Sequence, residues 1–187
     1  AGYGSAFMKW LISNNPKPYN SYGNGAAMRV SGCAYAASSL EEAKFFSKSV
    51  TEVTHNHIEG LKGAEATTVA TYLALNGASK DEIYHHITKK YYILNFSLDE
   101  IREDYTFDVS CQGSVPQALQ AFFEATDFED TIRNAISLGG DSDTIGAIAG
   151  AIAGAYYGIP KTIEEKALSF LDKRLVDVLN RFEEKYF

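Results

Sequence analysis

Apolar residues recur along most of this chain at intervals of three and four, the spacing of one helix face. Ala43, Phe46, Val50 and Val53 keep that spacing behind Ser39-Leu40-Glu41-Glu42. That tetrapeptide is a capping box, in which a serine hydroxyl and a glutamate carboxylate satisfy the first free amides of a helix. The same signal stands at Ser79-Lys80-Asp81-Glu82, Ser97-Leu98-Asp99-Glu100 and Thr162-Ile163-Glu164-Glu165. Asp127 is placed to cap a helix carrying Ile132, Ala135, Ile136 and Leu138. A last helix starts near Asp172, with Leu175, Val178, Leu179 and Phe182 on one face. Gly77 stands where a helix ending near Asn76 needs a left-handed residue. Strand signals are few. Tyr91 to Leu94, and Tyr105 to Val109 before a turn at Gly113, allow extended backbone but have no evident partner strand. The expected fold is all-α: a compact orthogonal multi-helix bundle, one domain over residues 1–187, with short turns. The exception is a turn-rich loop around Asn14 to Gly25.

Composition narrows the function classes. The 187 residues are 45% hydrophobic and 22% charged, with a net charge of −7. That acidity argues against a nucleic-acid partner, which requires a basic footprint. No apolar run is long enough to span a membrane, because Gly146, Gly150 and Gly154 interrupt the longest one. No signal-peptide pattern is seen, and the cysteines Cys33 and Cys111 have no metal-type spacing. Both observations point to a cytoplasmic protein.

The most informative stretch is Gly139-Gly140-Asp141-Ser142-Asp143-Thr144, followed by a glycine- and alanine-rich helix. The glycines permit a sharp turn into a helix N-terminus. Asp141 and Thr144 are three apart and share a face, with Asp143 in the same turn. Such hard oxygen donors suit Mg²⁺, Mn²⁺ or Ca²⁺ better than zinc. The competing reading is capping, since aspartate at a helix start satisfies amides and complements the dipole. An EF-hand is excluded, because the twelfth position from Asp141 is Ile152. The small residues of the following helix predict a central, buried element. Ser21-Tyr22-Gly23-Asn24-Gly25-Ala26-Ala27-Met28-Arg29 forms a glycine-rich turn leading into a helix, where backbone amides can cradle a phosphate. Thr54-His55-Asn56-His57-Ile58-Glu59-Gly60 holds two histidines too close in sequence to share a helix face, so a capping or pocket-lining role is expected. His85 and His86 lie in a polar helical segment and are expected in solvent.

These three blocks, in this order, resemble the ADP-ribosylglycohydrolase family, as does Cys111-Gln112-Gly113-Ser114-Val115-Pro116-Gln117-Ala118-Leu119 between the last two. The resemblance covers the whole chain. It implies an all-α fold and hydrolysis of a glycosidic bond in ADP-ribosylated protein or small molecules. It also implies two metal ions, usually Mg²⁺ with Mn²⁺ as a substitute, in a central cleft. By motif match, Asp141 and Asp143 are the catalytic acids, and Asp141, Asp143 and Thr144 are metal ligands. Ser21, Gly23, Asn24 and Gly25 face the diphosphate or distal ribose, Tyr22 the adenine, and His55 the phosphates or ribose. Family members also carry an N-terminal Gly-Asp-containing helix and a Thr-Asp-Asp block, which this sequence lacks; Ile58 stands where many have proline. The expectation is therefore an N-terminally truncated form with an incomplete metal site. It would associate with itself or with the missing part, or else serve as a non-catalytic ADP-ribose-binding module.

Overall fold

A computed structural model describes residues 3–186. In chain order its helices are α1 Ser5–Leu11, α2 Ser31–Ala36, α3 Leu40–Thr51, α4 Ile58–Leu75, α5 Lys80–Lys90 and α6 Leu98–Ile101. They continue with α7 Cys111–Glu124, α8 Phe128–Ser137, α9 Ser142–Tyr157, α10 Lys161–Leu168 and α11 Lys173–Tyr186. No sheet forms among the described residues; one isolated antiparallel bridge joins Gly23 to Ser110. The chain is all-α, as its periodicity predicts.

Local chemistry sets most helix starts. Ser79 and Ser97 make complete capping boxes with Glu82 and Glu100. Ser39 accepts from the Glu42 amide, but the Glu42 carboxylate reaches one residue further back, to Ser38 N and Oγ, both at 2.6 Å. Asp127 accepts from Asp130 N, and Asp172 from Leu175 N. Gly77 takes the expected left-handed turn at φ 77°. Thr162 does not cap. Gly158 turns the chain at φ 77°, and Pro160 then supplies the first accepting carbonyl, to Ile163 N and Glu164 N, so the helix starts before Thr162. The expected turn at Gly113 is instead the first turn of α7, where Ser110 Oγ accepts from Gly113 N at 3.1 Å. Residues 92–94 lie in neither helix nor strand, with Tyr92 and Leu94 buried and Ile93 77% exposed.

The central element is α4, packed between α3, α7 and α9. Small residues make this possible: Gly60, Gly63, Ala64, Ala66, Ala70 and Ala74 are buried around its circumference. Its buried threonines are partly satisfied within the helix, with Thr67 Oγ1 donating to Gly63 O at 3.0 Å and Thr71 Oγ1 to Thr67 O at 2.8 Å. Ile83, Ile87, Leu98, Leu119, Phe122, Ile145, Ile148 and Ile152 fill the surrounding core. The sequence assigned that central role to α9, and the structure corrects it. Only the isoleucine side of α9 is buried, while Ala147 is exposed and the three glycines are half-buried. Those glycines serve close packing instead. A Cβ at Gly146 would lie 3.5 Å from Ile136 Cδ1, and one at Gly150 would lie 2.9 Å from Ile132 Cδ1, so α8 seats two isoleucines on the stripe.

The apolar face of α11 is also only partly covered. Val178, Leu179 and Phe182 border a groove of about 920 Å³ with Gly150, Gly154 and Ser31. Among the described residues, no helix is long and apolar enough to cross a membrane.

Gly63 tests the central packing. A Cβ there would stand 2.7 Å from both Cβ and Sγ of buried Cys111. Gly63→Ala should lower the stability read from urea unfolding by about 1–3 kcal/mol, the usual cost of overpacking a tight core. An unchanged midpoint would show that α4 and α7 separate freely.

Candidate functional site

Three segments distant in sequence meet at one end of α4, α7 and α9. The first, residues 19–25, is pinned by its backbone. Ser21 N reaches Thr54 O at 3.4 Å, Asn24 N donates to Val109 O at 2.7 Å, and Cys111 N donates to Tyr22 O at 2.9 Å. Gly60 is a glycine because Ser21 passes over it: a Cβ there would lie 2.7 Å from Ser21 O. The helix starts carrying His55 and Ser110 therefore clamp the loop from both sides.

Gly23 and Gly25 have no such steric reason. Neither has a positive φ. A Cβ at Gly23 would meet nothing closer than 3.4 Å, with Ser21 Oγ at 3.4 Å and His55 Nε2 at 3.5 Å as neighbours; one at Gly25 would lie 3.8 Å from the same Nε2. The two glycines open a small notch edged by a hydroxyl and an imidazole nitrogen. The expected cradle of backbone amides is partly spent, since Gly23 N donates to Ser21 Oγ at 3.2 Å and Asn24 N to Val109 O. Tyr22 lies beside the notch, 49% exposed, with its ring 5.1 Å from that of His57. His57 caps α4, its Nδ1 accepting from Glu59 N at 3.1 Å.

Asn24 is buried, and its amide forms the node of the site. Nδ2 donates to Asp141 Oδ2 at 2.6 Å, to Ser114 Oγ at 2.9 Å and to Asp108 O at 3.3 Å. Ser114 Oγ in turn donates to Asp108 O at 3.0 Å. Asp141 precedes α9 but makes no side-chain cap bond. Asp143 is exposed, its Oδ1 accepting from the Thr144 amide at 3.0 Å. Thr144 is buried, its hydroxyl directed to Met28 Sδ at 3.6 Å. Gly139 and Gly140, at φ 70° and 61°, turn the chain into this position. A Cβ at Gly140 would lie 2.6 Å from the Tyr105 ring.

The donor set suits a hard cation in kind but not in number. Two carboxylates and a hydroxyl from one helix turn fall short of the six-fold coordination Mg²⁺ demands. Among the described residues, no group of three or more His, Cys, Asp or Glu side chains is placed to hold a metal ion.

His55 is 8% exposed. Burial, and after it the Arg29 guanidinium, push its imidazole down to about 4. Thr54 Oγ1 lies 2.7 Å from Nδ1 and accepts from Arg29 Nη2 at 3.0 Å. Arg29 and Ser114 stood inside recognisable blocks, but neither suggested a role, because only the fold brings them to His55 and Asn24. Of the other pair, His85 is exposed, while His86 departs from expectation: its ring packs near Tyr91 at 6.3 Å and its Nε2 is shut off from water.

The ADP-ribosylglycohydrolase profile matches residues 2–186. The chain belongs to this family. It is 31% identical over 190 residues to human ADP-ribosylhydrolase ARH3, a match covering 77% of this chain and 52% of that protein. It is 31% identical over 163 residues to ADP-ribosylarginine hydrolase Tri1 of Pseudomonas putida (strain GB-1), covering 79% of this chain and 43% of the relative. A solved structure titled ADP-ribosylglycohydrolase-related protein complex superimposes with a TM-score of 0.66 at 27% identity, covering 83% of this chain and 59% of that one. This family member therefore spans about half the length of the curated relatives it matches.

The depressed His55 pKa has a consequence for stability. The unfolded chain takes up this proton as pH falls below about 6.5, and the folded chain only near 4. The stability held above pH 6.5 is thus lost between those values, by at most about 3 kcal/mol. Urea unfolding of wild type and His55→Gln across pH 7 to 4 should show the wild type losing more. Parallel curves would refute the assignment.

Proposed function

We propose that this chain forms the ADP-ribose-binding floor, and one side of the metal site, of an ADP-ribosyl hydrolase. The observation that supports this most is the notch at Gly23 and Gly25. The residue between those glycines, Asn24, is tied directly to Asp141. A site for the diphosphate and a carboxylate suited to the reacting ribose thus share one half-buried hydrogen bond. The names of the relatives support the reaction class, since ARH3 is an ADP-ribosylhydrolase and Tri1 an ADP-ribosylarginine hydrolase.

In the proposed reaction, the bond between the anomeric carbon of ADP-ribose and an acceptor oxygen or nitrogen breaks. A water oxygen bonds to that carbon, and the water's proton ends on the leaving acceptor. Ser21 and His55 hold phosphoryl or distal ribose oxygens at Gly23 and Gly25, and Tyr22 packs beside the adenine. Asp141 and Asp143 are the catalytic residues, acting through the metal they help hold. With Thr144 they contribute ligands to Mg²⁺, or Mn²⁺ in its place, and the remaining ligands come from outside these 187 residues. Apolar side chains left on the surface, Ile58 at 74% and Phe170 at 77% among them, support association with a second copy or with such a missing part. Two unpaired cysteines support a reducing, cytoplasmic setting.

A second reading is a non-catalytic ADP-ribose-binding module, favoured by the small number of metal-ligating side chains. Titration calorimetry with ADP-ribose, with and without Mg²⁺, separates the two. Metal-independent binding without turnover by the complete polypeptide favours the module. For the hydrolase, release of ADP-ribose from arginine- or serine-linked substrates should fall about a hundredfold or more in Asp143→Ala.

The notch has its own test. Gly23→Ala and Gly25→Ala fit both backbone and space, so thermal stability should hold or rise by up to about 1 kcal/mol. ADP-ribose binding should weaken about tenfold or more as the methyl fills the notch. Unchanged affinity in both variants would remove the notch from the site.

A further inference from the structure

The notch faces the Nε2 edge of His55, so what that nitrogen offers a ligand depends on where the imidazole carries its proton. A neutral imidazole has one N–H and one bare nitrogen. Thr54 Oγ1, 2.7 Å from Nδ1, cannot decide between them, because a hydroxyl both donates and accepts. Arg29 can. Its guanidinium only donates, and Nη2 lies 3.3 Å from Nδ1 and 3.0 Å from Thr54 Oγ1. A proton on Nδ1 would set two donors against each other. With Nδ1 bare, the arrangement closes: Arg29 donates to the threonine oxygen and toward Nδ1, and the threonine hydroxyl donates to Nδ1.

We propose that Arg29 is a positioning residue that fixes His55 as the Nε2–H tautomer, so that a neutral N–H donor faces the notch between Gly23 and Gly25. The group this suits is a phosphoryl or hydroxyl oxygen acting as acceptor. The Ser21 hydroxyl reinforces it: its oxygen already accepts from Gly23 N, which leaves its hydrogen to donate. His55 is then a binding donor and not a proton acceptor on its ligand side. The identity of the ligand rests on the functional reading above, but the tautomer does not.

Two-bond ¹H–¹⁵N spectra of the full chain, labelled at histidine, report the tautomer directly, with His55 assigned by its loss in His55→Gln. The wild type should carry its proton on Nε2 with at least about a tenfold preference, the factor expected from leaving one buried donor unpaired. Arg29→Met should turn His55 into a mixture of tautomers, and Thr54→Val should leave Nε2–H in place. A wild-type proton on Nδ1, an unaltered Arg29→Met spectrum, or a mixture in Thr54→Val would each overturn the proposal. The wild-type and Thr54→Val spectra decide it even if Arg29→Met does not fold. Titrating ADP-ribose into the same sample separates the two ideas. A silent Nε2–H signal counts against the ligand reading and leaves the tautomer standing.

Discussion

One half-buried hydrogen bond joins residues 117 positions apart, and the architecture of the site depends on it. Asn24 Nδ2 meets Asp141 Oδ2 at 2.6 Å, and this sets the glycine loop against the start of α9. The fold supplies the frame. The Gly23–Ser110 bridge fixes the depth of the loop, and Ser114 and the Asp108 carbonyl orient the amide. A buried amide left without acceptors would cost more than the bond contributes once made. The node therefore defends its geometry more strongly than it stabilises the fold.

The glycines near this node divide into two kinds. At Gly60, Gly63, Gly113 and Gly140 an added Cβ would come within 2.1 to 2.7 Å of backbone, Cys111, Asp108 or Tyr105. These four let segments approach one another, and they belong to folding. Gly23 and Gly25 take ordinary backbone angles and have room for a methyl group. On the proposed reading, that room is left for a ligand. The same residue type thus meets a steric need at four positions and leaves open space at two, and only coordinates tell them apart.

That distinction marks how far the sequence is legible. Caps at Ser79, Ser97 and Asp127 could be read directly because a cap is a local bond between residues three apart. The order of the three motif blocks pointed to the family for the same reason: each block is a short local string. What resisted reading depends on competing local signals or on distant partners. Thr162 has the letters of a capping box, but Gly158 and Pro160 start the helix before it. The small residues of α9 look like those of a central helix, while α4, whose threonines disguise it as half-polar, holds that place with Thr67 and Thr71 bonded to its own carbonyls. Gly113 reads as a turn until Ser110 and Asp108 are seen to hold it at the start of α7. Arg29 and Ser114 are unremarkable letters in sequence, and their partners lie 26 and 90 residues away, at His55 and Asn24.

The chemistry of Asp141 bears on the choice between an enzyme and a binding module. Its hydrogen-bond partner among the described residues is the neutral Asn24 amide, and no side-chain cap relieves it. Asp141 is half-buried at the N-terminus of α9, where the helix dipole favours an acidic side chain. A protein that only grips ADP-ribose gains nothing from an acid in this place, because a carboxylate beside a diphosphate repels the ligand. On the proposed reading a cation would stand between acid and phosphate, with Asn24 holding one carboxylate oxygen in place. On this argument the Asn24–Asp141 bond favours the hydrolase over the module, because it prepares a ligand oxygen that a binding module would be better without.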